Sequence, residues 1–319
     1  MRKMKFKEGG VELRLRLLVI AVVLAFSLGA SGRVFGAGVE QKTFSTPREA
    51  VDSLIAAERS GDKDALLQIF GPEGAKLVFS GDKVADDEDR RKFVSAYDDA
   101  NRVETDGDER AVLVVGKDEW PFPIPVVKHG DAWSLDTDAG LEKILQLRIG
   151  RNELGAIEVC RAYVDAQREY ASKGLASNGL TEYAQKFKSS PGKHDGLYWD
   201  AGEGEEKSPF GPLIESARAE GYGAEQREPG RNPYHGYYYK ILTRQGENAP
   251  GGAKDYVVKD RMTEGFALLA FPAKWGDSGV MTFLVAEHGI VFQKNLGPDT
   301  AEVAGNITEF DPDLSWMTP

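Results

Sequence analysis

The sequence contains few of the residues that cysteine and histidine chemistry requires. Its 319 residues include one cysteine, Cys160, and four histidines. A single thiol excludes an intramolecular disulfide and any metal site built from several cysteines. The chain also lacks a glycine-rich phosphate loop, a His-Glu-x-x-His zinc motif and a dinucleotide-binding fingerprint. We therefore expect no metal and no cofactor, and we expect Cys160 to be an inert core residue.

The chain also lacks the surplus of positive charge that binding to a polyanion requires. It has 40 lysine and arginine residues against 51 acidic residues, a formal net charge of −11. This balance excludes nucleic acid as a partner, because phosphates would be repelled. Apolar residues make up 41% and charged residues 29% of the chain. Such a composition indicates a globular protein and excludes a disordered or polytopic membrane protein.

No uncharged run near the N-terminus is long enough to span a bilayer. Residues 17–30 form an uncharged stretch of 14 residues, about 21 Å as a helix against a hydrocarbon core of about 30 Å. Basic residues precede this stretch and small residues follow it at 36–38, which is typical of a secretory signal peptide. We predict that residues 1–37 are removed on export; the alternative is a retained N-terminal anchor. The remaining chain would carry 33 basic and 49 acidic residues, a net charge of −16, and would be a periplasmic or secreted protein without a stable membrane span.

Helix-start signals predict that a small domain begins near residue 45. The motif Thr46-Pro47-Arg48-Glu49 supplies a capping threonine, a proline in the first turn and the glutamate of a capping box. Apolar residues then recur at helical spacing as far as about residue 100. We interpret the acidic run 86–89 as a solvated helix start, where carboxylates interact favourably with the helix dipole.

Two short strands and a proline-rich segment complete this domain, which we place at residues 45–137. The strands are predicted at 111–115 and 132–135. Between them, Trp120-Pro-Phe-Pro-Ile-Pro125 has a proline at every second position. Because proline cannot donate to a central ladder, this segment is expected to be an edge strand or a polyproline segment. The predicted domain is a small α+β unit of helices and a hairpin sheet.

A second α+β domain is predicted over residues 138–316. It begins with a long helix over 138–172, in which Gly150 and Gly155 mark either a break or a close contact. Five strands with turn residues between them follow in the last third of the chain. The fold class is therefore α+β, with a long helix packed on an antiparallel sheet in the second domain.

Several segments of the chain resemble the bacterial family of unknown function DUF2950. They are distributed over nearly the whole predicted mature chain, at residues 148–154, 160–170, 195–199, 233–238, 265–269, 279–283 and 296–300. The segment that begins at Trp120 resembles the family as well. What this resemblance implies is an exported bacterial protein without an established activity.

Two weaker resemblances concern architecture. The segment from Asn152-Glu153 through Tyr170, followed by the predicted sheet, is similar to the soluble part of type IV pilins and pseudopilins. Pilins assemble through an apolar helix that precedes this part, whereas here a separate domain precedes it, so polymerisation is not implied. The first domain resembles cone-shaped NTF2-like modules, a likeness of fold alone.

The most unusual local composition is Pro233-Tyr-His-Gly-Tyr-Tyr-Tyr239. Within it, Tyr234, His235 and Tyr237 are candidate ligand-binding residues, because tyrosines on alternating faces of a strand could stack on a sugar or an extended peptide. The alternative interpretation is an aromatic sheet face that packs under the long helix.

A second candidate group lies in a predicted loop rich in polar and aromatic residues. It contains Asp195 and Trp199, and placement in a loop favours a functional role. The alternative for Trp199 is a position in the core.

A third segment, Gly276-Asp-Ser-Gly279, matches a serine-protease tetrapeptide, but that chemistry also needs a positioned histidine and a buried aspartate. We interpret 276–279 as a turn between strands.

The sequence thus predicts a non-catalytic binding or envelope-assembly module whose partner is an unknown envelope protein or a glycan. One alternative is a hydrolase that acts on an envelope polymer, with His235, Tyr237 or Asp195 as candidate acid or base groups. The other alternative is a minor subunit associated with a pilus.

Overall fold

The structure is a computed structural model that describes residues 40–174, 181–202, 204–223 and 232–319. Residues 1–37, predicted to be a signal peptide, lie outside the described residues. None of the helices in the described ranges combines the length and the apolarity needed to cross a membrane.

The helices begin where side chains can cap them. In chain order they are α1 (Pro47–Ser60), α2 (Lys63–Phe70), α3 (Gly74–Val78), α4 (Lys83–Asp99), α5 (Thr137–Ser172), α6 (Gly211–Ala219) and α7 (Thr300–Asn306). Thr46 accepts a hydrogen bond from the backbone N–H of Glu49, and Asp62 and Asp82 cap α2 and α4 in the same way. Each cap satisfies a backbone donor that the helix itself leaves unpaired.

In the described ranges, the strands form two larger antiparallel sheets and two short ribbons. They are β1 (Asn101–Asp106), β2 (Arg110–Val115), β3 (Trp120–Pro121), β4 (Val126–His129), β5 (Ala132–Leu135), β6 (Tyr237–Leu242), β7 (Arg244–Gln245), β8 (Lys254–Asp255), β9 (Val257–Val258), β10 (Arg261–Met262), β11 (Ala267–Pro272), β12 (Met281–Ala286) and β13 (Val291–Asn295). The first sheet has the order β1-β2-β4-β5 with β3 paired to β2, and the second has the order β13-β12-β11-β6. The predicted α+β class and the long helix beside an antiparallel sheet are confirmed.

Several strands differ from the prediction. β1 and β4 were not expected, and β1 is mostly exposed and polar, so it shows no apolar alternation. One of the five strands predicted in the last third of the chain, at residues 255–258, is split between β8 and β9, which pair with different partners. The proline-rich segment does contribute an edge strand, since β3 pairs only with β2 in the described structure.

The buried apolar residues fall into two clusters, and α5 contributes to both. The first cluster joins α1 and α2 to the first sheet, and Ile144 of α5 packs against it. The second lies between α5 and the second sheet and includes Cys160, Tyr163 and Tyr170. Cys160 is fully buried, as expected, and burial raises the pKa of its thiol to about 12. The boundary between the two predicted domains stays a prediction.

Helix α5 is continuous through Gly150 and Gly155. Gly150 is helical and has open space beside it. At Gly155 an added Cβ would lie only 2.9 Å from Nδ1 of His235. The expected alternatives at these glycines were a break or a close contact, and at Gly155 the outcome is a close contact.

Polar side chains of α5 hold the start of β12. Glu153 Oε1 accepts hydrogen bonds from the backbone N–H groups of Val280 and Met281, each at 2.9 Å. Next to it, Asn152 Nδ2 donates to the carbonyl oxygen of Ser278 at 2.9 Å. The segment 276–279 is the predicted turn, since it connects β11 and β12 and Ser278 Oγ bonds the backbone of Lys274. The serine therefore closes the turn.

Replacing Glu153 tests the contribution of this contact. We expect Glu153→Ala to lower the free energy of unfolding by about 1–3 kcal/mol, because two backbone donors lose a charged acceptor. The measurement is urea unfolding followed by circular dichroism. Glu158→Ala on the exposed face of the same helix is the control and should change stability by no more than about 0.5 kcal/mol. Equal effects of the two substitutions would contradict this role of Glu153.

Candidate functional site

Tyr237, one of the predicted ligand-binding residues, is part of the second core. It is fully buried at the start of β6, and its hydroxyl donates to the carbonyl oxygen of Met281 at 2.9 Å. Burial raises the pKa of the Tyr237 hydroxyl far above its usual range. For this tyrosine, the contacts are those of a packed sheet residue.

Tyr234 and His235 lie at the surface in a small aromatic cluster with Tyr222. The ring of Tyr234 stacks on His235 with centroids 4.1 Å apart, and Tyr222 meets Tyr234 edge-on at 4.8 Å. His235 Nε2 lies 2.5 Å from Oε2 of Glu220, and both side chains are about one-third exposed. Because His235 and Gly236 both have positive φ angles, 49° and 73°, the chain reverses sharply here.

A buried carboxylate lies beneath this cluster and explains its shape. Asp82 is 1% exposed, and its Oδ2 accepts hydrogen bonds from the Gly236 N–H and the Tyr222 hydroxyl, each at 2.9 Å. The Tyr222 oxygen in turn accepts from the N–H of His235 at 3.2 Å. Burial, followed by the nearby Asp82 charge, raises the pKa of Tyr222 well above its usual range. One carboxylate thus caps α4 and also orders the turn that carries His235.

Asp195 and Trp199 form a separate group. Asp195 pairs with Lys186 at 2.7 Å and accepts from the N–H of Ser190 at 2.7 Å. The hydrogen bond from Lys186 contributes most to lowering the pKa of Asp195 to about 2. Trp199 is buried in the second core, and its Nε1 donates to the carbonyl oxygen of Glu206 at 2.9 Å. These two residues therefore hold their own loop in place.

The structure does not bring the two predicted groups into one site. Among the described residues, no hydrogen bond, ion pair or ring contact joins Asp195 or Trp199 to Tyr234, His235 or Tyr237.

A cleft in the first half of the described chain was not predicted. It has a volume of about 400 Å³, within the range of roughly 300–1,000 Å³ that is common for small-molecule sites. Helices α1 to α5 and the first sheet contribute to its lining. The apolar part of the wall is formed by Leu66, Phe70, Leu77, Val78, Phe93, Ala96, Val115, Trp120, Phe122 and Ile144.

Three aromatic rings make one wall of this cleft. The ring centroids of Phe93 and Phe122 are 5.0 Å apart, and Trp120 meets Phe122 edge-on at 6.1 Å. Trp120 is 40% exposed, which is unusual for a large aromatic side chain. The proline-rich segment thus presents its aromatic residues to a concave surface.

Glu58 of α1 is the charged residue of the cleft whose charge is least offset by neighbouring groups. It is half-buried, and desolvation raises the pKa of its carboxyl to about 7, although the positive charge of Arg90 acts in the opposite direction. The other charged residues of the lining are Lys63, Asp86, Asp87, Asp89, Arg90, Lys92, Arg148 and Arg151. A carboxyl group with a raised pKa inside a cleft is a candidate for function.

The acidic run 86–89 lies at the start of α4, as predicted, but it is half-buried instead of fully solvated. Asp86 accepts hydrogen bonds from the N–H of Ser80, and desolvation raises the pKa of its carboxyl. Asp89 is held by two hydrogen bonds of 2.7 Å from Arg151 of α5. Solvation was wrongly predicted for these two residues, because their partners, the Ser80 N–H and Arg151 of α5, lie outside the helix that carries them.

The pH dependence of stability tests the environment of Glu58. A carboxyl whose pKa is raised on folding binds more protons in the native state, so its contribution to stability is lost as the pH rises from about 4.5 to about 7. We expect the free energy of unfolding of Glu58→Gln, taken relative to the wild type, to be about 1–2 kcal/mol higher at pH 8 than at pH 4. This value is reduced for the partial exposure of Glu58. Urea unfolding of both proteins at both pH values measures the difference.

The control is Glu158→Gln, the same change at an exposed position of α5. Its stability difference from the wild type should change less between pH 4 and pH 8 than that of Glu58→Gln. If Glu58→Gln shows no larger change than this control, the raised pKa of Glu58 is contradicted.

Comparison with known proteins identifies the family. The family described as "Protein of unknown function (DUF2950)" matches residues 41–318. Searches among curated proteins and among solved structures each gave no match. The likeness to pilins and to NTF2-like modules therefore stays a prediction. Because the match covers most of the sequence, the chain belongs to the DUF2950 family.

Proposed function

We propose that the protein is exported to the bacterial envelope and binds a small molecule in its cleft without chemical conversion. The observation that carries this proposal is the cleft itself. It has the volume of a small-molecule site and an apolar wall, and charged side chains, among them Glu58, complete its lining. Its walls come from several helices and a sheet, and rigid elements of this kind support a preformed site.

The contacts of two candidate acid or base groups favour binding over hydrolysis. The Tyr237 hydroxyl is buried and already donates to a backbone carbonyl. The Asp195 carboxylate is held by Lys186 and Ser190, and its pKa of about 2 makes it a weak base. Both groups are therefore committed to structural contacts.

One observation favours the hydrolase alternative. The imidazole of His235, which is about one-third exposed, lies 2.5 Å from the carboxylate of Glu220. An imidazole that a carboxylate orients is a common arrangement for general acid or base catalysis. This alternative requires activity on an envelope polymer that His235→Ala removes.

Export rests on the N-terminal sequence and on charge. The basic start, the short uncharged run over residues 17–30 and the small residues after it fit a cleaved secretory signal. The net charge of −16 that cleavage would leave suits a protein that stays free of anionic membrane surfaces.

Mass spectrometry of the protein recovered from bacterial envelope fractions tests export. We expect an N-terminus between residues 36 and 39, because the small residues there fit signal peptidase. Recovery of the chain with an intact N-terminus from the cytoplasm would contradict export.

Filling the cleft tests the binding site. We expect the full chain to bind N-phenyl-1-naphthylamine, a neutral apolar fluorophore, and Ile144→Trp to weaken this binding by roughly tenfold or more. Ile144 lines the cleft from α5, so a larger side chain would occupy the volume. Fluorescence titration measures the affinity.

The control is Leu154→Trp, which enlarges a side chain on the same helix at a position that is 65% exposed. It should leave the affinity unchanged. Equal affinity of both variants and the wild type would show that the probe binds elsewhere and would contradict a site in the cleft.

A further inference from the structure

The cations that line the cleft are each engaged by another group. Arg90 pairs with Asp87 at 3.2 Å, and Arg151 pairs with Asp89 at 2.7 Å. Lys92 likewise lies 3.5 Å from an oxygen of Glu88 on the same helix.

The two remaining cations are engaged without a carboxylate. Arg148 donates to the carbonyl oxygens of Lys76 and Leu77 at 2.8 and 2.7 Å. Lys63 lies over the ring of Phe79, with its Nζ 4.9 Å from the ring centroid. An incoming anion would have to compete with these contacts for each of the positive charges.

Glu58 differs from these groups. Within the part of the chain that the structure describes, it has no hydrogen bond and no ion pair, and Arg90 influences it only through space. A half-buried carboxylate without a partner loses hydration that nothing replaces. A cationic ligand would supply both a hydrogen-bond donor and the opposite charge, which makes Glu58 the group that a ligand can satisfy.

The aromatic wall favours the same kind of ligand. Phe93, Trp120 and Phe122 can contact an apolar body, and their ring faces attract a positive charge. The chain as a whole carries a net charge of −11, so its field attracts cations and repels anions.

From this arrangement, and resting on the proposed function, we infer that the cleft binds a hydrophobic amine. Its apolar part lies against the wall of Phe93, Trp120 and Phe122, and its ammonium group pairs with the carboxylate of Glu58. The ligand class is defined by this pairing of one cationic group with an apolar body small enough for a cleft of about 400 Å³.

Three probes with one apolar body and different end groups test this inference. They are 4-phenylbutylamine, 4-phenylbutan-1-ol and 4-phenylbutyrate, titrated into the purified full chain at pH 8 by calorimetry. We expect the amine to bind roughly tenfold more tightly than the alcohol, and the carboxylate to bind most weakly. Tightest binding of the carboxylate, or equal binding of amine and alcohol, would overturn the inference.

Substitution of Glu58 identifies the partner of the ammonium group. In Glu58→Gln the amine should bind no more tightly than the alcohol binds to the same variant. Retained alcohol binding also shows that the variant is folded. Glu158→Gln, on the exposed face of α5, is the control and should keep the preference for the amine. A preference that survives Glu58→Gln overturns the inference.

The same titrations separate the inference from the function on which it rests. If the alcohol binds and Ile144→Trp blocks it, but the amine has no advantage, the binding site stands and the ligand class is wrong. If none of the three probes binds the wild type, the ligand class is overturned. If, in addition, Ile144→Trp does not weaken binding of the neutral fluorophore, the proposed binding function fails as well.

Discussion

The structure depends on how one long helix is held at both of its ends. Helix α5 has 36 residues, and only its second half is buried in the core beneath the second sheet. Its first half is fixed by charged side chains, since Arg148 donates to two carbonyls near the end of α3 and Arg151 pairs with Asp89. Loss of these contacts would free the part of α5 that carries Ile144 and Arg148, two residues that line the cleft.

The candidate site follows from that constraint. Arg151 of α5 pairs with Asp89 of α4, and Ile144, Arg148 and Arg151 of the same long helix line the cleft. Glu58 lines the cleft from α1, where its charge is partly desolvated and has no partner among the described residues. Burial of such a group costs stability. A cost of this kind at a concave surface is typical of a site that a ligand completes.

Local signals in the sequence are sufficient for much of the fold. The Thr46 cap, the long helix and the turn at 276–279 could be predicted because each depends on residues close together in the chain. β1 could not, since its polar composition lacks the alternation of a half-buried strand. Its place is set by pairing with β2 along its whole length.

The cleft could not be predicted for a different reason. Glu58, Trp120 and Arg148 come from three distant parts of the chain, and no local pattern in the sequence links them. The proline-rich segment that begins at Trp120 supplies two aromatic residues of the wall, but its composition alone predicts an edge strand or a polyproline segment and not a site. The composition of the aromatic run near His235 predicted a binding site. In the structure, however, Tyr237 is a core residue, and the buried Asp82 holds the turn at His235.

A crystal structure of the protein with bound 4-phenylbutylamine is the most direct test of the central claim, that the cleft is a binding site completed by Glu58. The account predicts the phenyl ring against Phe93 and Phe122, with the amine nitrogen about 3 Å from the Glu58 carboxylate. A ligand bound instead beside Tyr234 and His235, or one in the cleft with its amine directed away from Glu58, would contradict the account.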